Sequence, residues 1–416
     1  MARGEPKNLY EPNAINKPGI QSLPEEVVDY ALSFLDTEML PSVRLTCKTL
    51  EAITFNRFAE AHFAHVYCWV AKPKAFRRLK DILQNSPALK TRIRRVTLTD
   101  NPYEDLPESA LHIVREQRDK DDQNGRNSMD SIMHEGDDLG TGHFLMQRVL
   151  RVLKNVPQNV LVDVNLTHSR PVGRRRRHVQ ERIARSVLFS LTISNTAVES
   201  LATDYASLEN LDDTLAHGRD DFMASMSTIK SFTFVGGFGP VYAALVDLLR
   251  SIRQLRHLTF EIQRPSADEE YFGQSRCPIQ ARREFWLDIN YTNLVSLTFR
   301  HFALSTTEQD LRQILGQCRS TLTHLTLSRV AFLAGGECWK CIGEVLLTMP
   351  RLVFVELQMV HVRNGLGRGL RPVEIKSLID GNPPGVRLEG RADVVRGLQE
   401  LSRLGPSFFE QPNQDL

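Results

Sequence analysis

The chain has 416 residues, which at about 150 residues per domain points to two or three domains, or to one extended array beside a smaller unit. Basic and acidic residues nearly cancel, 52 against 50 for a net charge of +2, so a surface built mainly for nucleic acid or anionic membrane is not expected. With 41% hydrophobic and 25% charged residues, the chain can bury a sizeable core and global disorder is excluded.

Residues 1–20 are polar, with Pro6, Pro12 and Pro18 and no apolar block, and read as a disordered lead-in rather than a secretory signal. A helical block follows, from Ser22 to about Val70. Ser22 and Glu25 have capping-box spacing. Behind them Leu23, Val27, Val28, Ala31, Leu32 and Leu35 recur at helical spacing, in a stripe wider than a coiled-coil seam. Asp36 is placed to cap a second short helix carrying Met39, Leu40 and Val43, which Pro41 limits. A third helix runs from near Cys47 through Leu50 and Ile53 towards Phe63. Some fifty residues bury only about 60% of their surface, and two short helices are too little to cover the stripe, so part of it is expected to await another protein.

The strings Leu23-Pro24-Glu25-Glu26-Val27-Val28, Leu32-Ser33-Phe34-Leu35-Asp36 and Arg44-Leu45-Thr46-Cys47-Lys48 with Leu50 fall in order without gaps. Over about Gln21–Thr54 they resemble an F-box, with departures at Ala31 and Pro41. The resemblance implies a docking surface for a Skp-type adaptor formed by Leu23, Pro24, Val27, Val28, Leu32 and Leu35, with Leu45 and Leu50 at the contact or supporting it.

From about Lys72 an apolar-x-x-apolar-x-apolar pattern recurs at Ile229-Phe232-Phe234, Leu255-Leu258-Phe260, Leu294-Leu297-Phe299, Leu322-Leu325-Leu327 and Leu352-Val355-Leu357. The starts lie 26, 39, 28 and 30 residues apart, which brackets the leucine-rich-repeat period irregularly. Amphipathic stretches at Val241–Ile252, Thr307–Cys318 and Cys338–Met349 separate the copies, giving strand and helix in alternation. Weaker copies are read at Ile93-Val96-Leu98, Val162-Val164-Leu166 and Leu188-Leu191-Ile193. Residues 116–138, with eight acidic against three basic residues, and Pro265–Cys277 read as loops, the first disordered. Residues 406–416 read as a tail. This half resembles an irregular leucine-rich repeat. The expected fold is therefore an N-terminal all-α F-box helical module over 21–71 followed by an α/β leucine-rich-repeat-like curved solenoid over 72–405.

Catalytic signatures are absent from the sequence: no H-E-x-x-H, G-x-S-x-G or P-loop. The glycine clusters at 236–239 and 365–369 read as turns. Cys338-Trp339-Lys340-Cys341 has half-site spacing but no matching second pair, so two small buried side chains are expected, and no metal or cofactor. Six cysteines in so long a chain fit no disulfide scaffold and suit a reducing cytoplasm or nucleus. The longest apolar run, Phe63 to Ala71, is about half a membrane span, and a soluble chain is expected. Arg174, Arg175, Arg176 and Arg177 form the strongest local charge feature, read as a solvated loop or as a candidate anion-binding or nuclear-import patch.

Together the resemblances imply a substrate-receptor subunit of an SCF (Skp, cullin, F-box) ubiquitin ligase, non-catalytic itself. It would reach cullin and RING subunits through the adaptor and hold an unknown target protein on the repeats. Neither nucleic acid nor membrane is expected as a partner. Two alternatives stay open: a non-ligase interaction scaffold, and an enzyme hidden in the irregular array.

Overall fold

The computed structural model describes residues 23–70, 73–100, 139–157, 159–167, 174–204, 219–236, 242–261, 289–300, 308–328, 338–358 and 385–404, with short strands at 303–304, 331–332 and 361–362. The lead-in 1–20, the acidic segment 116–138, Pro265–Cys277 and the tail 406–416 lie outside them. The chain divides into two compact units, Met1–Val66 and Tyr67–Leu416.

In the first unit lie α1 (Glu25–Leu32), a 3-10 turn (Thr37–Met39), α2 (Leu40–Arg44) and α3 (Lys48–Phe63). Pro24 opens α1, its carbonyl accepting the Val27 and Val28 N–H groups at 3.0 and 3.1 Å. No side chain caps this helix, and Ser22 of the expected capping box is outside the described residues. Pro41 sits in the first turn of α2, where its missing amide costs nothing. Cys47 caps α3, its Sγ accepting the Leu50 N–H at 3.5 Å. Val28, Leu32 and Leu50 form the core of the unit, with Leu35, Val43, Cys47 and Ile53 packed against them.

The second unit alternates strands and helices: β2 (Arg95–Thr99), β3 (Leu161–Leu166), β4 (Ser200–Asp204), β5 (Ser231–Val235), β6 (His257–Glu261), β7 (Ser296–Arg300), β8 (Ala303–Leu304), β9 (His324–Ser328), β10 (Ala331–Phe332), β11 (Phe354–Gln358), β12 (His361–Val362) and β13 (Gly385–Glu389). Before them comes β1 (His65–Trp69). The helices are α4 (Pro73–Asn85), α5 (Pro87–Lys90), α6 (Leu139–Lys154), α7 (Arg174–Ser194), α8 (Arg219–Met226), α9 (Tyr242–Ser251), α10 (Glu308–Gln317), α11 (Cys338–Leu347) and α12 (Arg391–Leu404). Ten strands form one sheet in the order β1-β2-β3-β4-β5-β6-β7-β9-β11-β13, and β8, β10 and β12 form a small second one. Pairing is parallel from β2 to β11, whereas β13 runs antiparallel to β11.

The expected fold needs correction at both ends. The segment 21–71 is not an all-α module: its helices stop at Phe63, and His65-Val66-Tyr67-Cys68-Trp69 is the edge strand of the sheet. β-Branched and aromatic residues favour a pleated, half-buried position, and a nine-residue apolar run cannot be assigned to helix or strand by periodicity alone. Nor is the remainder a uniform curved solenoid. It is a mostly parallel α/β sheet that ends on an antiparallel strand.

Register explains why the sheet forms. Leu201, Phe232, Leu258, Leu297, Leu325 and Val355 stand opposite one another across six strands, and all are buried. The row two residues on holds Phe234, Phe260 and Phe299, with Phe260 stacked on Phe299 at 5.9 Å. Burying each aromatic is worth about 1.5–3 kcal/mol. One backbone bond repeats just before each strand, Arg256 N–H to Lys230 O at 2.7 Å, Val295 to Arg256 at 2.7 Å and Thr323 to Val295 at 2.8 Å. Successive units thus lock at the same position.

Leu188-Leu191-Ile193 belongs to α7, not to a strand: Leu188 and Leu191, three apart, share its buried face, and Ile193 is exposed. The strand in that neighbourhood is β4, whose frame Val198-Leu201-Thr203 has the repeat spacing with threonine in the third apolar place. At the far end α12 lies close on β13: a Cβ on Gly397 would sit 2.7 Å from Leu388 Cδ1.

Candidate functional site

The apolar stripe predicted on the first helix divides into two. Val28 and Leu32, with Leu50 of α3, face inward as core, and Leu35 is half-buried against them. Leu23, Pro24 and Val27 are exposed, as is Leu45, at 88%. The outward row continues beyond the predicted set, at i, i+4, i+7 and i+11, through Tyr30 and Phe34, which are 67% and 71% exposed. Their rings meet edge to face at 5.1 Å. Met39 is exposed nearby in sequence. The sequence reading missed Tyr30 and Phe34, although their spacing from Leu23 and Val27 is the helical signal itself.

Polar contacts hold this face in place from behind. Arg57 of α3 pairs with Asp29 of α1 at 3.0 Å. Arg44 lies over the Phe58 ring at 3.9 Å and reaches Glu51 at 3.5 Å. The Thr54 hydroxyl, fully buried, donates to the Leu50 carbonyl at 2.6 Å. His62 Nε2 is 3.1 Å from the Thr37 carbonyl, joining the end of α3 to the 3-10 turn.

A second surface lies on the array. Opposite the buried rows, β5 to β9 carry polar residues in register: Thr233, Thr259, Thr298 and Thr326 form one row, and Ser231, His257, Ser296 and His324 another, which Phe354 of β11 continues. The His324 ring stacks on Phe354 at 5.6 Å, and Arg387 covers Phe354 at 5.3 Å. Partial burial, then Arg256 beside it and His324 across the sheet, hold the His257 pKa below its usual 6.5. At the other end Arg95 pairs with Asp163 at 2.7 Å and approaches Glu199, which Lys230 meets at 2.9 Å. Burial raises the Asp163 carboxyl, and Arg95 pulls it partly back.

Arg174, Arg175, Arg176 and Arg177 form the first turn of α7 rather than a loop; their side chains are outside the description. Cys338 opens α11 and Cys341 follows one turn later. Among the described residues no group of histidine, cysteine and carboxylate side chains could hold a metal ion. Burial pushes the Cys68 and Cys318 thiols up to about 12, which keeps them protonated and unreactive. Among the described residues no helix is long and apolar enough to cross a membrane.

No family model matches the chain, and no curated protein matches its sequence.

Proposed function

We propose that the chain is the substrate-receptor subunit of an SCF-type ubiquitin ligase, working in the cytoplasm or nucleus. The observation that carries this reading is the outward row Leu23, Val27, Tyr30 and Phe34 along α1 and its two ends, on a helix whose other side is already packed. Leu23 and Val27 belong to the docking set that the F-box resemblance implies, Tyr30 and Phe34 extend it, and Val28, Leu32 and Leu50 of that set are core. An apolar helix face of this kind docks into a groove of a partner, and the Skp-type adaptor is the partner the resemblance implies. The polar face of the sheet would hold the target protein. The contribution to ubiquitination is then proximity, which raises the effective concentration of a target lysine near a charged conjugating enzyme.

The test is capture of a Skp-type adaptor by the full-length protein. Tyr30→Ala with Phe34→Ala, or Leu23→Ala with Pro24→Ala, should weaken capture about tenfold or more while the melting of the array is unchanged. Capture at unaltered affinity in both variants refutes the docking. Cullin recovered with the adaptor supports a ligase; adaptor without cullin makes the protein a scaffold instead.

A further inference from the structure

The helices are unequal in charge. α4 packs beside α6, and α6 beside α7. Among these, α4 holds four basic residues and one acidic, α6 three and none, and α7 six and one. The later helices α8 to α12 hold seven basic residues against eight acidic. A chain of net charge +2 therefore concentrates its positive charge on three neighbouring helices.

Pairing follows the same division. On the later helices Arg312 of α10 meets Glu344 of α11 at 3.0 Å, and Arg396 meets Asp393 at 2.7 Å. On the cationic helices Arg77, Arg78, Arg151, Lys154 and Arg182 are exposed and make no ion pair among the described residues. Arg148 lies 5.7 Å from the Phe144 ring and makes no ion pair among the described residues. Unpaired like charges on one surface repel and lower stability, so stability alone gives no reason for the arrangement.

Apolar side chains accompany these cations. Phe144 on α6 is 59% exposed, and Phe189 and Ile193, one turn apart on α7, are 40% and 43% exposed. His143 fixes the seam between the two helices: its Nδ1 lies 2.8 Å from the Ser190 hydroxyl, and its ring stacks on Phe189 at 5.3 Å. Gln147 holds its other nitrogen at 2.7 Å. The seam is held in place within the protein itself, which spares a partner the entropy of arranging that part of the surface.

We infer that the outer surface of α4, α6 and α7 docks an acidic polypeptide segment carrying bulky apolar side chains. The apolar residues lie against Phe144, Phe189 and Ile193, and the carboxylates face the arginines and Lys154. Aromatic and arginine side chains together are the composition of a protein interface. A nucleic-acid backbone would complement the cations and leave the three apolar side chains uncovered. Phe189 also lies against the His143 ring at the helix seam, a poor position for entering a bilayer by the roughly 5–10 Å of an interfacial helix. The inference goes beyond the proposed adaptor docking and uses none of its residues.

The test uses the full-length protein and a fluorescein-labelled synthetic peptide rich in glutamate with two leucines one helical turn apart, read by anisotropy. Binding should weaken with salt. It should fall about tenfold or more in the triple variant Arg78→Glu, Arg151→Glu, Arg182→Glu, and about as much in Phe144→Ala with Phe189→Ala. The control Arg250→Glu with Arg312→Glu, equal in charge per site but on the later helices, should bind normally. Should charge reversal lower the melting temperature, Arg151→Gln with Arg182→Gln carries the same expectation. Equal binding by wild type and the charge variants overturns the inference. So does tighter capture, through the same arginines, of duplex DNA or of phosphatidylserine vesicles than of the peptide.

Discussion

The small helical unit and the strand-helix array handle apolar surface in opposite ways. Within the array, rows such as Leu201 to Val355 meet an equivalent residue on both sides, and its side chains shut one another away from water. In the helical unit, α1 packs Val28 and Leu32 inward and leaves Tyr30 outward, with Phe34 exposed just past its end. Stacking repeats completes a surface from within the chain, because each unit covers its neighbour. A three-helix unit has no further copy of itself to supply a cover.

The comparison breaks most visibly in the array core. Phe260 touches aromatic neighbours on both adjoining strands, so Phe260→Ala should cost about 3–5 kcal/mol, read as a lower urea midpoint for the array. A milder loss would mean the units stack less cooperatively than their shared register implies. Inside the helical unit, Leu32→Ala should cost about 2–5 kcal/mol, whereas Phe34→Ala, two residues away but exposed, should stay within about 0.5 kcal/mol. Chemical denaturation followed by hydrogen exchange on α1 separates the two. Equal destabilisation would show that both sides of the helix are core.

The smallest effect concerns pH. His257 has a folded pKa below its usual 6.5, so the native state prefers the neutral ring. Its contribution to stability is present above pH 6.5 and is lost as pH falls through the lower folded value. Replacing His257 with glutamine should flatten that part of the pH–stability profile, measured by thermal melting. An unchanged slope would point to other groups.

Much of the array was legible because its strands carry three apolar residues at a fixed spacing, each facing the same side. The reading failed where one chemical type could serve two structures. Thr203 is buried in β4 like the phenylalanines of its row, but a hydroxyl does not register as apolar in a sequence pattern. His65–Trp69 looked like more helix, since partners far along the chain decide whether a short apolar run extends into a sheet. For the candidate site, helical spacing placed the apolar stripe on the first helix. Only packing could divide it, since Val27 and Val28 are adjacent and chemically identical yet one is exposed and the other buried.

The reversed strand at the end of the sheet has a consequence for how such a chain can lengthen. β13 meets β11 head to tail and presents Arg387 and Glu389, paired at 2.6 Å, on an edge that charge makes unattractive to stray strands. A duplicated strand-helix unit inserted anywhere between β2 and β11 inherits a neighbour of matching polarity. Laid outside β13, the same unit would find its template pointing the wrong way, so the architecture favours growth from the middle over growth from that margin.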